Sequence, residues 1–222
     1  MGLLSRIMGV PWVYERLRIA LLGGGPAGDV FSWLGDTRED ILIDIGCGTG
    51  MVMDRLGSFA EYHGFDVDVR ALRRFRRRAL PGNVHLHNAE VTAADLDRIQ
   101  PTKAILIGLL HHLPDTKAGE LLSMLAHCPT LRRAITLDPV LVEGKPLNNL
   151  LCRLDRGRHV RTRPQYETLI KAAGVEAVKA EVMTSGNGAA FYFCTLLSRR
   201  SKVVDVVDIV DAVDAVDKHN RK

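Results

Sequence analysis

The chain has 222 residues, 46% of them hydrophobic, which suits one domain with a full-sized core and short appendages. Aromatics make up only 5%, so the core is aliphatic, and a net charge of +4 suits anionic partners without requiring nucleic acid. Cys47, Cys128, Cys152 and Cys194 lie far apart with no CxxC pair, which excludes a zinc knuckle, a thioredoxin-like site and a disulfide framework and reads as cytoplasmic, with reduced thiols.

The start, Leu3 to Val10, is apolar, but Arg6 interrupts it, Pro11 follows, and no small-residue cleavage pattern closes it, so it is not read as a signal peptide. Nor does any stretch of about 18 uncharged apolar residues mark a transmembrane helix. Residues 12–22, "WVYERLRIALL", set Trp12, Leu17, Ile19 and Leu22 among charges and predict a partly amphipathic helix that Gly23 to Pro26 ends. A second short helix is expected from Val30 to Leu34, which makes residues 1–37 an N-terminal helical cap.

"ILIDI", from Ile41, is a continuous apolar run of the kind found in a parallel strand covered on both faces. Glycines follow at every second position, Gly46, Gly48 and Gly50, and then "MVMDRLGSF" predicts a helix. "YHGFDVD" is a short strand ending in Asp66 and Asp68; "VRALRRFRRRAL" is a helix; "NVHLHNAE" is a third strand; "AADLDRI" is a short helical turn. "AILIGLL" is a fourth strand, "DTKAGELLSMLAHC" a helix with Asp115 as its expected N-cap, and "RAITLDP" a fifth strand. Alternating strands and helices with compact connections predict a doubly wound α/β domain, a three-layer α-β-α sandwich over a parallel sheet. The ending differs. "PQYETLIKAAG" is a helix closed by Gly174, and "VEAVKAEVM" and "AAFYFCTLL" form a hairpin across "TSGNG", with Gly186, Asn187 and Gly188 able to take positive φ. The domain is placed at 38–200, with 139–165 as an insert. The tail 201–222 repeats aspartate every third residue, Asp205 to Asp217, among valines and alanines. That period leaves no clean apolar face, so the tail reads as a loose appendage, with an oligomerisation helix as the alternative.

A glycine loop between strand and helix lets backbone N–H groups approach a ligand at the helix start. A dinucleotide site wants G-x-G-x-x-G; here the third glycine comes one position early and Met51 stands where that motif wants glycine. Asp66, twenty residues after Gly46, is placed to accept hydrogen bonds from both hydroxyls of a ribose. The spacing specifies an adenosine-type ligand without a pyrophosphate cradle and disfavours a nicotinamide cofactor.

"LIDIGCGTG" resembles the first motif of the class I S-adenosylmethionine-dependent methyltransferases. "GFDVD" looks like their ribose-binding strand end, "NAEV" is similar to the segment whose acid reaches the adenine amino group, and "LLHHLPD" resembles the fourth-strand segment of the small-molecule members. The final hairpin matches the family's reversed last strand. The resemblance covers roughly residues 38–197 and implies a seven-stranded Rossmann-like sheet. It implies S-adenosylmethionine as methyl donor, S-adenosylhomocysteine as product, no metal, and cofactor contacts at Asp44, Gly46, Cys47, Gly48, Gly50, Asp66, Val67, Glu90, Val91 and Gly108. Glu90 stands for the usual aspartate. Lys103 and Ala104 replace the acid often found before the fourth strand, and "CPTLRRA" replaces the usual Pro-Gly-Gly, which marks a divergent branch. "LDRGRHVRTRPQYETL" is similar to a segment of a bacterial subgroup within that family.

The acceptor side is less legible. His111 and His112 follow a buried strand at the carboxyl edge, where one of them suits the acceptor pocket or a base of near-neutral pKa; the alternative is one packed and one capping histidine. Arg153, Arg156, Arg158, His159, Arg161 and Arg163 crowd the insert. Arg158 and Arg161 are candidates to hold an anionic acceptor, against a charged lid packed on Asp155 and Glu167. Trp12 and Tyr14 close the same pocket or pack in a core. Arg70, Arg73, Arg74, Arg76, Arg77 and Arg78 form a basic helix with one aromatic, Phe75, which supports nucleic-acid contact weakly. His85 and His87 share a strand face with no third ligand at suitable spacing, so they read as surface histidines. The expected activity is methyl transfer to an O or N of a small, anionic acceptor; the alternatives are a methyltransferase of nucleic acid or protein, and a non-enzymatic S-adenosylmethionine-binding module.

Overall fold

The computed structural model describes residues 29–155 and 157–199. The helix expected at 12–22, Trp12, Tyr14, Arg156 and the aspartate-repeat tail lie outside them. Strands β1 (Ile41–Ile45), β2 (Glu61–Phe65), β3 (Val84–His87), β4 (Lys103–Ile107) and β5 (Arg133–Leu141) are parallel; β7 (Val175–Thr184) and β8 (Phe191–Arg199) close the sheet antiparallel. The order is β3-β2-β1-β4-β5-β8-β7, the expected seven strands, with a two-residue strand β6 (Arg161–Thr162) pairing only the far end of β5.

Both faces of the sheet are covered, and the alternation along each strand shows how. In β1, Ile43 and Ile45 join Phe65, Ala104 and Leu106 under α2 (Ala93–Ile99), α3 (Asp115–His127) and α5 (Arg163–Ala172). Leu42 points the other way, into a cluster with Tyr62, Leu72 and Phe75 beneath α1 (Val69–Arg76). The 3-10 turn Val30–Leu34 covers Ile105 and Ile135 on that second face. Burying an aliphatic side chain in such a layer stabilises by roughly 1.5–3 kcal/mol. The period-two code is therefore what holds these strands in register.

Local signals account for the helix starts. Asp68 caps α1 by accepting from the Arg70 and Ala71 N–H groups. Thr92 with Asp95, and Thr162 with Gln165, form capping boxes at α2 and α5. Three expectations are corrected. "MVMDRLGSF" yields only a 3-10 helix, Met51–Arg55, because the chain turns extended at Leu56. The N-cap of α3 is Pro114, so Asp115 is free to take an arginine instead. In the hairpin turn, Gly188 alone of the three residues takes positive φ, at 70°. The insert holds a helix of its own, α4 (Pro146–Leu154), packed against β5.

Lys103, where the resemblance led to an acid, has a structural explanation. Its ammonium lies buried 2.6 Å from Asp40, which also takes Thr102 and Arg132, and this pairing ties β4 to the entry of β1 at the edge opposite the glycine loop.

Candidate active site

The predicted cofactor residues fall along one edge, after the carboxyl ends of the adjacent strands β3, β2, β1 and β4. Asp44 lies near the end of β1 with Gly46 to Gly50 behind it; Asp66 and Val67 follow β2; Glu90 and Val91 follow β3; Gly108 follows β4. This is the edge where doubly wound sheets place ligands.

The loop is built on its glycines. Gly46 and Gly50 sit at φ 78° and 77°, and a Cβ on Gly50 would lie 2.2 Å from the Phe75 ring. The Gly46 and Cys47 N–H groups both donate to the Phe65 carbonyl, Gly50 N–H donates to the Cys47 carbonyl, and Gly48 N–H donates to Asp66 Oδ2 at 2.7 Å. Most of the loop's donors thus fix its own shape, which leaves Thr49 N–H without a protein partner among the described residues. Asp66 Oδ1 accepts from Asp68 N–H, and each carboxylate oxygen keeps a further lone pair. Cys47 is buried, and burial pushes its thiol up, so the residue contributes backbone rather than a nucleophile. Val67 and Glu90 are exposed; Val91 packs at the core's margin.

Asp44 is buried on the Tyr62 side of β1. Its Oδ2 accepts from the Tyr62 hydroxyl at 2.5 Å, while Oδ1 has no partner among the described residues. Burial raises this carboxyl to about 7; the Tyr62 bond opposes the rise, and the nearby Asp66 charge adds to it. A buried carboxylate with one orphaned oxygen is costly unless a cation meets it.

The histidine pair separates into two roles. His111 is buried: its Nδ1 lies 2.7 Å from Asp138 Oδ1, and its Nε2 faces Asp155 Oδ1 at 3.6 Å. Burial opposes a charge here, but Asp138 and Asp155 outweigh it and raise His111 to about 9. The ring holds its proton at neutral pH, so the expectation that His111 serves as a base is corrected: it is a buried imidazolium between two carboxylates. Gly157 packs so tightly on this ring that a Cβ would come within 1.9 Å of it, and His159 N–H donates to the His111 carbonyl. His112 is exposed, with its ring 4.1 Å from that of His111.

Arg161 is likewise corrected. It is 5% exposed, and all five of its donor hydrogens are committed: Nε and Nη2 to Asp115 Oδ1, Nη1 to the Leu110 and His159 carbonyls, and Nη2 also to the Leu113 carbonyl. It ties the insert to the turn after β4 and has nothing left to hold an acceptor. Arg163 pairs with Glu167. Arg158 and Arg153 are exposed. Asp138 escaped the sequence reading, which named Asp155 only as a partner for the charged lid, although Asp138 stands near the end of the buried run "RAITLDP" much as Asp44 ends "ILID".

Residues 42–128 match a family profile described as a methyltransferase domain. Magnesium protoporphyrin IX methyltransferase from Synechocystis PCC 6803, with bound S-adenosylhomocysteine, is similar in structure at 18% identity and a TM-score of 0.60, over 88% of this chain and 92% of that one. Human N-acetylserotonin methyltransferase, in complex with S-adenosylmethionine, is similar at 17% identity and 0.57, over 77% of this chain; the match spans only 50% of the human enzyme. A riboflavin-derivative dimethyltransferase from Streptomyces davawensis is similar at 21% identity and 0.56, over 88% of this chain and 61% of that one. No curated protein matches the chain by sequence. Family profile, strand order and the loop-and-acid edge agree: residues 42–128 match a methyltransferase domain, and the chain carries the fold of the class I S-adenosylmethionine-dependent methyltransferases.

Proposed function

We propose that the enzyme methylates an O or N of a small molecule lodged over the carboxyl ends of β4 and β5, beside the 139–165 segment. The carrying observation is Asp44 Oδ1: a buried carboxylate oxygen with no partner among the described residues, set beside the glycine loop, fits the ammonium of a methionyl group. When bound, S-adenosylmethionine supplies a methyl on a sulfonium, which makes it a leaving-group chemistry the protein needs only to align. Asp66 retains lone pairs for two ribose hydroxyls, Glu90 is exposed where an adenine amino group would come, and Thr49 N–H is available to a carboxylate. Val67 and Gly108 would flank the nucleoside. With His111 locked, His112 is the histidine placed to accept a proton from the acceptor. The exposed Arg158 and Arg153 remain to attract an anionic one. The likeness to N-acetylserotonin, magnesium protoporphyrin IX and riboflavin-derivative methyltransferases supports a small-molecule acceptor.

A second reading, a polymeric anionic acceptor, draws on α1. Arg70, Arg73, Arg74 and Arg76 are exposed on it and Arg77 at its C-cap, while Arg78 turns inward to Asp54 and the Gly50 carbonyl. One experiment separates the two: formation of S-adenosylhomocysteine is followed with a panel of phenols, amines and carboxylates, and in parallel with RNA, DNA and protein. The small-molecule reading expects turnover in the first panel, and a fall of at least tenfold in kcat for His112→Ala with an acceptor that must lose a proton. Turnover on polymer alone, lost when Arg73 and Arg74 are replaced, would establish the second reading.

A further inference from the structure

The parallel register of β2 and β3 sets His63 directly beside His85, and Glu61 lies two residues before His63 on the same face. Glu61, His63 and His85 each bring a ligand atom within 4.8 Å of the others. His85 and His87 have no third partner at suitable spacing in the sequence because Glu61 and His63 come from a different strand. We propose that this sheet edge binds a divalent cation of the zinc type, through His63 Nε2, a ring nitrogen of His85 and the Glu61 carboxylate, with solvent completing four-coordination.

Three observations carry the assignment. The first is the donor set: two imidazoles and a carboxylate suit zinc-like borderline cations, whereas magnesium and calcium prefer all-oxygen surroundings. The second is geometry. Zinc bonds of about 2.0–2.2 Å space tetrahedral ligand atoms roughly 3.3–3.6 Å apart. His63 Nε2 is already 3.1 Å from Glu61 Oε2, and Glu61 and His85, both exposed, can close the remaining gap by side-chain rotation. The third is orientation from behind. His63 is buried, its Nδ1 lies 3.2 Å from His87 Nε2, and the His87 ring stacks on Phe65 at 4.3 Å. A proton on Nδ1 donated to His87 leaves Nε2 as the lone-pair nitrogen facing outward, the arrangement by which a second residue fixes a ligating histidine.

The site is separate from the methyl-donor edge, because Glu61 and His63 point to the face opposite Tyr62 and Asp44. It is nevertheless coupled to that edge: β2 runs straight into Asp66, whose N–H donates to the His87 carbonyl. An ion here would pin the edge strand β3 to β2 next to the ribose-side acid.

The test is titration of the tag-free, metal-stripped full chain with cobalt(II), read by its visible ligand-field bands, followed by displacement with zinc. The expected result is one equivalent of tetrahedral cobalt that zinc displaces. His85→Ala and Glu61→Gln, both surface changes, should each weaken uptake at least tenfold, while His112→Ala leaves it unchanged. His111, His112 and Asp155 form the other cluster of this kind among the described residues, so the last variant distinguishes the two. No cobalt uptake, unchanged uptake in His85→Ala, or uptake abolished by His112→Ala would each overturn the proposal. None of these outcomes bears on S-adenosylhomocysteine binding, which is measured separately.

Discussion

Asp44 concentrates the electrostatics of the proposed donor site in one side chain. Its carboxyl is raised from 3.8 to about 7, so the ligand-free fold loses stability as pH rises between those values and the buried group is forced to ionise. A ligand ammonium beside Oδ1 reverses this and favours the ionised form. Affinity for S-adenosylhomocysteine should therefore rise with pH up to about 7 and level off above it, with proton release on binding near pH 6.5. Calorimetry in two buffers of different ionisation heat measures that release; affinity flat across this range with no proton exchanged would remove Asp44 from the site. Asp44 was legible in sequence because an acid ending an apolar run before alternating glycines has few other uses. Arg161 was not. The sequence displays a crowd of arginines, but not that Asp115, far earlier in the chain, and three carbonyls converge on one of them.

At the scale of elements, the segment between β5 and α5 is held down by two clamps, the His111 imidazolium and the Arg161 guanidinium. A histidine raised from 6.5 to about 9 gives stability that is fully present below pH 6.5 and is lost as pH rises through 9, roughly 3 kcal/mol in all. Urea unfolding as a function of pH should show that loss in the wild type and not in His111→Gln; parallel profiles would contradict the clamp. Removing Arg161 leaves three carbonyls and a carboxylate without their donor. Arg161→Ala should cost about 3 kcal/mol in the same unfolding measurement, against within about 0.5 kcal/mol for the exposed Arg158→Ala. Equal effects of the two would restore Arg161 as a surface residue. Strand positions were readable from apolar runs buried on both faces. The 3-10 turn after the glycine loop and the Pro114 cap were not, since both depend on what the neighbouring strands leave room for.

On the scale of the whole molecule, the sheet order brings four separate loops to one edge, and that convergence gathers motifs spread between Asp44 and Gly108 into the proposed donor site. The seven-stranded Rossmann-like sheet was foreseen through the family resemblance, and its antiparallel end through the hairpin signal; the strand order was not stated from sequence, nor was the histidine edge, which arises only when β2 and β3 lie in register. The acceptor side was less legible because the residues proposed for it lie on irregular segments, where a side chain such as Arg161 serves the fold instead. The central claim is that the glycine loop and Asp66 hold a methionine-derived nucleoside. Isothermal calorimetry with S-adenosylmethionine, S-adenosylhomocysteine and NAD tests it most directly. The account predicts binding of the first two, none of NAD, and at least a tenfold loss of affinity in Asp66→Ala; binding of NAD with neither methionine-derived ligand would contradict it.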